Sequence, residues 1–194
     1  METNQLGKKG KVLAAAAGML LVLSSLSATA GYAASAREID TSVNVAMERF
    51  YKEVKGAKEF AKTAKGMLVL PGVIKAGLGV GGEYGEGALR VGGKTVDYYN
   101  IAAASFGLQI GAQKKDMLIA FMTDEALKQF RNSKGWEAGV DGNIALISIG
   151  AGGSIDTATI KDPVVAFVFD VKGLMADVSL KGSKFTKLDK SKDK

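Results

Sequence analysis

Five lysines, Lys52, Lys55, Lys58, Lys62 and Lys65, recur at spacings of three and four residues. On a continuous α-helix the last four fall within about 80° of arc, with Lys52 flanking the same side. The other side of that helix carries Val43, Met47, Phe50, Val54, Ala57 and Ala61. A lysine face of this kind can rest on an anionic membrane surface, where each cation contributes roughly 1 kcal/mol. The apolar stripe can equally dock the helix on a core and leave the lysines in water. The two readings are compatible if the docked helix shows its lysines outward.

The remaining chemistry is narrow. The chain has no His and no Cys, which excludes Ser-His and Cys-His nucleophile pairs, thiolate chemistry and an ordinary zinc site. The carboxylates Glu83, Glu86, Asp97, Asp116, Asp141, Asp156 and Asp170 could serve as acid and base. Their spacing selects no pair, and most read as solvated turn residues. The stretch ALRVGGKT, Ala88 to Thr95, fits loosely the letters of a phosphate-binding loop. Such a loop must open a helix, and Val96 to Ile101 looks like a strand. Gly92-Gly93 therefore reads as a hairpin turn. Gly77-x-Gly79-x-x-Gly82 matches a dinucleotide fingerprint by letters alone, in a chain with 25 glycines and no βαβ pattern. No nucleotide, cofactor or metal is expected. Nucleic acid is a poor partner too, because the lysines lack interleaved aromatics or a reader motif.

The elements that must position these residues follow from periodicity. The 194 residues suffice for one domain with a real core. Residues 37–65 read as one long amphipathic helix, with Asp40, Thr41 or Ser42 able to cap it and Gly66 ending it. From Gly66 the chain is apolar, β-branched and broken by Gly, which reads as strands and turns. A short helix capped by Thr123 or Asp124 interrupts them and ends near 132–135. Strands resume in three runs, with turns at 171–173 and 181–183. The tail SKFTKLDKSKDK reads as frayed and solvated.

The first 34 residues have a different character. Lys8, Lys9 and Lys11 precede an apolar run from Val12 to about Leu26, followed by small residues. This is the three-part pattern of a secretory signal peptide, with cleavage after Ala30, Ala33 or Ala34. An uncleaved membrane anchor is the alternative, although the run is short for a span. With no Cys to acylate, the chain is not expected to be a lipoprotein. Export to a bacterial periplasm is the expectation. Residues 1–33 hold three lysines and one glutamate, so the formal charge of +6 falls to about +4 without them.

The order of motifs resembles the SYLF lipid-binding domain family. The resemblance runs through AKGMLVLPGVIKAGLGVGGEYGEGALRV (64–91), SFGLQIGAQKKDMLIAFMTDEALKQF (105–130), GWEAGVDGNIALISIGAGG (135–153) and VKGLMADVSLKGSKF (171–185). It covers about residues 40–188, and the last block is the most specific. It implies a peripheral lipid-binding module whose basic N-terminal helix contacts lipid, which corresponds here to Lys52, Lys55, Lys58, Lys62 and Lys65. Eukaryotic relatives bind phosphoinositides, and some are described as actin-binding. An exported protein would not ordinarily meet either, so those ligands are not carried over.

The expected organisation is a signal peptide (1–34), one SYLF-like α+β domain (35–188) and a flexible basic tail (189–194). The domain would pack a long N-terminal helix on a curled, mostly antiparallel Gly-rich sheet with one short inserted helix. The expected function is non-enzymatic binding of an anionic phospholipid membrane surface through the lysine face. A protein-interaction or envelope-scaffold module is the alternative, and a carboxylate hydrolase a third.

Overall fold

The computed structural model describes residues 34–149, 153–155, 160–173 and 179–191, with residues 105–110 in backbone only. The signal-peptide reading of 1–34 therefore falls, except for Ala34, outside the described residues. So do Asp156 and the end of the tail. Ala34–Lys194 is a compact unit on its own contacts.

Helix α1 spans Ala36–Glu53. Its cap is Ser35, not Asp40, Thr41 or Ser42. The Ser35 hydroxyl accepts from the Glu38 N–H at 3.3 Å, and the Glu38 carboxylate accepts from the Ser35 N–H at 2.8 Å. This reciprocal pair satisfies donors that a helix start leaves open. The backbone and hydroxyl hydrogen bonds from Ser35 hold the Glu38 carboxyl below its usual range. Asp40 is used otherwise, accepting from Thr95 at 2.6 Å and from Tyr98 at 2.9 Å.

The single helix expected over 37–65 is broken. A short helix α2, Ala57–Thr63, follows a gap at Val54, Lys55 and Gly56. The Lys55 N–H donates to the Gly153 carbonyl at 3.1 Å, and the Ile155 N–H donates to the Lys55 carbonyl at 2.9 Å. A passing segment thus takes the backbone groups a helix would have used. Gly56 adopts φ +81°, and a Cβ there would lie 2.7 Å from the Ile155 carbonyl oxygen. Only glycine makes this join without strain. Gly66 ends no helix; it opens the first strand.

Strands β1 (Gly66–Val91) and β2 (Lys94–Phe121) form one long antiparallel hairpin. Gly92 and Gly93 close it, both with positive φ, so the phosphate-loop letters lie in a hairpin turn as expected. The dinucleotide letters lie inside β1. Helix α3 (Asp124–Asn132) follows, capped by Thr123. After it come β3 (Trp136–Glu137), β4 (Ala145–Ser148), β5 (Val164–Gly173) and β6 (Lys184–Leu188). The sheet runs β3–β6–β2–β5–β4, with β1 on β2. All these pairs are antiparallel except β4–β5. This is the expected α+β architecture. Residues 171–173 belong to β5 and are no turn. Nor is the whole tail frayed: β6 lies in it, and Lys190 is buried, donating to the Ala34 carbonyl at 2.6 Å.

Strand β2 organises both layers. Met117, Ile119 and Phe121 face one core with Leu68, Leu70, Leu89, Phe130, Trp136 and Phe185. The alternate residues Leu118 and Ala120 face a second core with Val43, Phe50, Val54 and Phe60 of the helical segment. Burial on both faces explains why these strands read as unbroken apolar runs. The hairpin also curls onto itself. A Cβ on Gly87 would lie 1.9 Å from the Val69 carbonyl oxygen, so no larger residue fits where the two halves of β1 meet.

Candidate functional site

The helical segment that carries the lysines is docked. Val43, Phe50, Val54, Ala57 and Phe60 are buried against the sheet. Lys52, Lys55, Lys58, Lys62 and Lys65 are all exposed. The break at residue 55 voids the continuous 80° arc, because Lys52 ends one helix, Lys55 sits in the gap and Lys58 and Lys62 ride on the next. What unites the five is exposure along one segment with only two glutamates, Glu53 and Glu59, among them. Lys62 pairs with Glu59 at 2.9 Å and Lys65 approaches Asp124 at 3.9 Å. Both pairs are solvated and weak, worth less than about 1 kcal/mol. Lys52, Lys55 and Lys58 have no ionic partner among the described residues.

The carboxylates are not all solvated turn residues. Glu83 is buried against the fully buried Lys115 at 3.1 Å. Asp116 is buried too; it accepts from Arg49 of α1 and from the Gly72 N–H at 2.8 Å. Arg49 also reaches Asp170 at 2.8 Å, which in turn meets Lys172 at 3.3 Å. Asp97 is shared by Arg131 at 3.0 Å and Lys187 at 2.5 Å. Each of these acids serves as a counter-ion, and no two of them are joined as an acid–base pair. Among the described residues no cluster of three or more acids could hold a metal.

Arg49 was not legible as a site residue, since a lone Arg on an amphipathic helix reads as solvated. The structure puts it where three strands slip register. β1 bulges between Leu70 and Val73, β2 and β5 slip between Lys114 and Asp116, and Asp170 takes a positive φ of 49°. The guanidinium fills the wall of a cavity of about 350 Å³ beside Lys114 and Lys172. A second cationic groove, about 620 Å³, lies between the end of α3 and β6 and is lined by Arg131, Lys134, Lys187 and Lys190. Asp97 offsets much of its charge. Among the described residues no helix is long and apolar enough to cross a membrane.

Compared with known families, residues 102–194 match the model of Ysc84, described as a Las17-binding protein actin regulator. No curated protein matches the chain.

Proposed function

From the match of residues 102–194 to the Ysc84 model and the resemblance of the chain to SYLF domains, we propose a non-enzymatic module that binds anionic phospholipid head groups. The family is one of binding domains linked to lipid and to actin patches. The observation that carries the finer reading is the exposed run Lys52, Lys55, Lys58, Lys62 and Lys65 on a docked, apolar-anchored segment. Docking leaves the cations free for Coulombic attraction while the apolar stripe stays in the core. The contact is then reversible and screened over about 8–10 Å at ordinary ionic strength.

The setting proposed is the bacterial envelope, reached by cleavage of the N-terminal segment. Cleavage after Ala33 would keep both Ser35 as the helix cap and the Ala34 carbonyl that accepts from Lys190. N-terminal sequencing of protein from an envelope fraction is expected to begin at residue 31, 34 or 35; a chain still starting at Met1 would defeat the export reading.

Liposome co-sedimentation tests the lipid reading. Residues 34–194 should pellet with anionic and not neutral vesicles, and high salt should release them. Replacing Lys55, Lys58, Lys62 and Lys65 with Glu should abolish pelleting while leaving the circular dichroism unchanged. Unchanged pelleting would move the anion contact to the groove beside Arg131 and Lys187.

A further inference from the structure

Where the β1–β2 hairpin bends back near Gly79, so that a Cβ on Gly77 would lie 2.7 Å from the Gly81 Cα, the side-chain pattern inverts. The inner face that carries Phe121, Ile119 and Met117 continues along β2 to Lys115 and Gln113, both buried. On β1 the same face passes from Leu70 and Val73 to Lys75, and returns through Glu83; these two are buried as well. Register supports the assignment, with Lys75 opposite Gln113 and Val73 opposite Lys115. The outer face carries Ile74, Ala76, Leu78, Val80 and Tyr84, all exposed. Leu78 is 77% exposed, Val80 65%, Ile74 55% and Tyr84 51%. Ala102, Ala104 and Ala112 of β2 add to this face.

Polar inside and apolar outside is the alternation of β-structure whose outer solvent is lipid. In water it is the costly arrangement, since an exposed apolar patch of this kind marks a contact surface. The charges around the rim choose among contacts. The acids face inward or are paired: Glu83 to Lys115, Asp116 and Asp170 to Arg49. Outward on this rim stand Lys114, opposite Ile74, and Lys172 at the end of β5, exposed although it meets Asp170 at 3.3 Å. Tyr84 keeps its hydroxyl on Glu86 at 2.6 Å and its ring outward, the amphipathic placement suited to a membrane interface.

We propose that this rim of β1, Ile74 to Tyr84, is a wedge that enters the acyl boundary of an anionic membrane, with Lys114 and Lys172 at the head groups. The inference rests on the lipid reading above and adds an apolar anchor that the helix, docked through its own stripe, cannot supply. The buried Lys115–Glu83 pair keeps the interior of the wedge occupied, so the strands need not collapse when the outer face leaves water.

The chain lacks Cys, so Leu78→Cys in residues 34–194 carries a single environment-sensitive dye, and Val140→Cys, 74% exposed and distant in sequence, is the control. The probe is a vesicle of phosphatidylcholine mixed with phosphatidylglycerol, with and without a nitroxide on the acyl chain. Emission at 78 should shift to the blue and be quenched by the nitroxide, and emission at 140 should not. Leu78→Ser with Val80→Ser, unlabelled and folded, should lower vesicle partition roughly tenfold or more. Pelleting with an unshifted dye at 78 overturns the wedge and leaves the lysine reading standing. No pelleting of any variant, or of the parent chain, overturns both. A shift at 78 that grows with protein concentration without vesicles makes a second copy the occupant, and also overturns the wedge.

Discussion

Two regions of one hairpin obey opposite rules. Near α1 and α3, β1 and β2 bury apolar residues on both faces: Leu68 and Met117 on one, Val69 and Leu118 on the other. At the bend the same two strands put Lys75, Glu83, Gln113 and Lys115 inside and Ile74, Leu78 and Val80 outside. The pleat is continuous, so backbone geometry does not explain the change. What differs is the covering. Helices lie over the first region, while nothing among the described residues lies over the outer face of the second. Arg49 stands at the seam, bridging Asp116 and Asp170 where the strands slip register, with Lys172 as the second cation on Asp170. A strand pair thus takes its inner and outer sides from what surrounds it.

The sharpest way to break this comparison is inside the bend. Lys115→Met leaves Glu83 buried without its cation, and should cost about 3–5 kcal/mol in chemical denaturation. Adding Glu83→Leu should recover most of that loss; a double variant as unstable as the single would mean that the polar interior is required in itself. In the apolar region, Leu118→Ala should cost about 2–5 kcal/mol, because Leu118 is fully buried beneath the helices.

Tyr99 tests the regular region more gently. It is buried, and its hydroxyl has no hydrogen-bond partner among the described residues. Burial, then the nearby Asp97 charge, pushes its phenol up to about 12. The folded chain therefore favours the neutral form. Its contribution is whole below about pH 10, the unfolded value, and is lost as the pH rises from there through about 12. Tyr99→Phe should leave neutral-pH stability unchanged or raise it by about 1 kcal/mol, and should make alkaline unfolding less steep. Thermal melts between neutral and alkaline pH would show it; a large loss at neutral pH would reveal a partner for the hydroxyl. Smallest of all, Leu78→Ser should change stability by no more than about 0.5 kcal/mol. Set beside Leu118→Ala, it asks whether one residue type on one hairpin has a structural use in one place and a contact use in the other.

Much of the fold was legible in the residues. Unbroken apolar runs such as MLIAF and VVAFVF marked strands, and Gly92-Gly93 marked the closing turn. Thr123 before Asp124 and Glu125 marked the start of α3. The candidate lysines were visible as exposed positions because their apolar complement, from Val43 to Ala57, recurs at helical spacing. The break at Lys55 was not visible. It depends on hydrogen bonds to Gly153 and Ile155, about a hundred residues away, and local periodicity carries no record of such a partner. Glu83 and Asp116 misled for the same reason: a carboxylate in a Gly-rich stretch looks solvated until its cation is placed.

By itself, then, the amino-acid order determined the elements, since the spacing of apolar residues and glycines acts within a few residues. It narrowed the chemistry as well, because a chain with no His and no Cys has neither imidazole nor thiolate to offer. The tertiary structure alone decided which charges are spent. Lys115 became a counter-ion in the interior and the half-buried Arg49 one at the seam, while Lys52, Lys55 and Lys58 stayed in water. It alone turned Leu78 and Val80 outward, because the sense of a strand's two faces is set by what packs against each, and that is known only once the hairpin has curled.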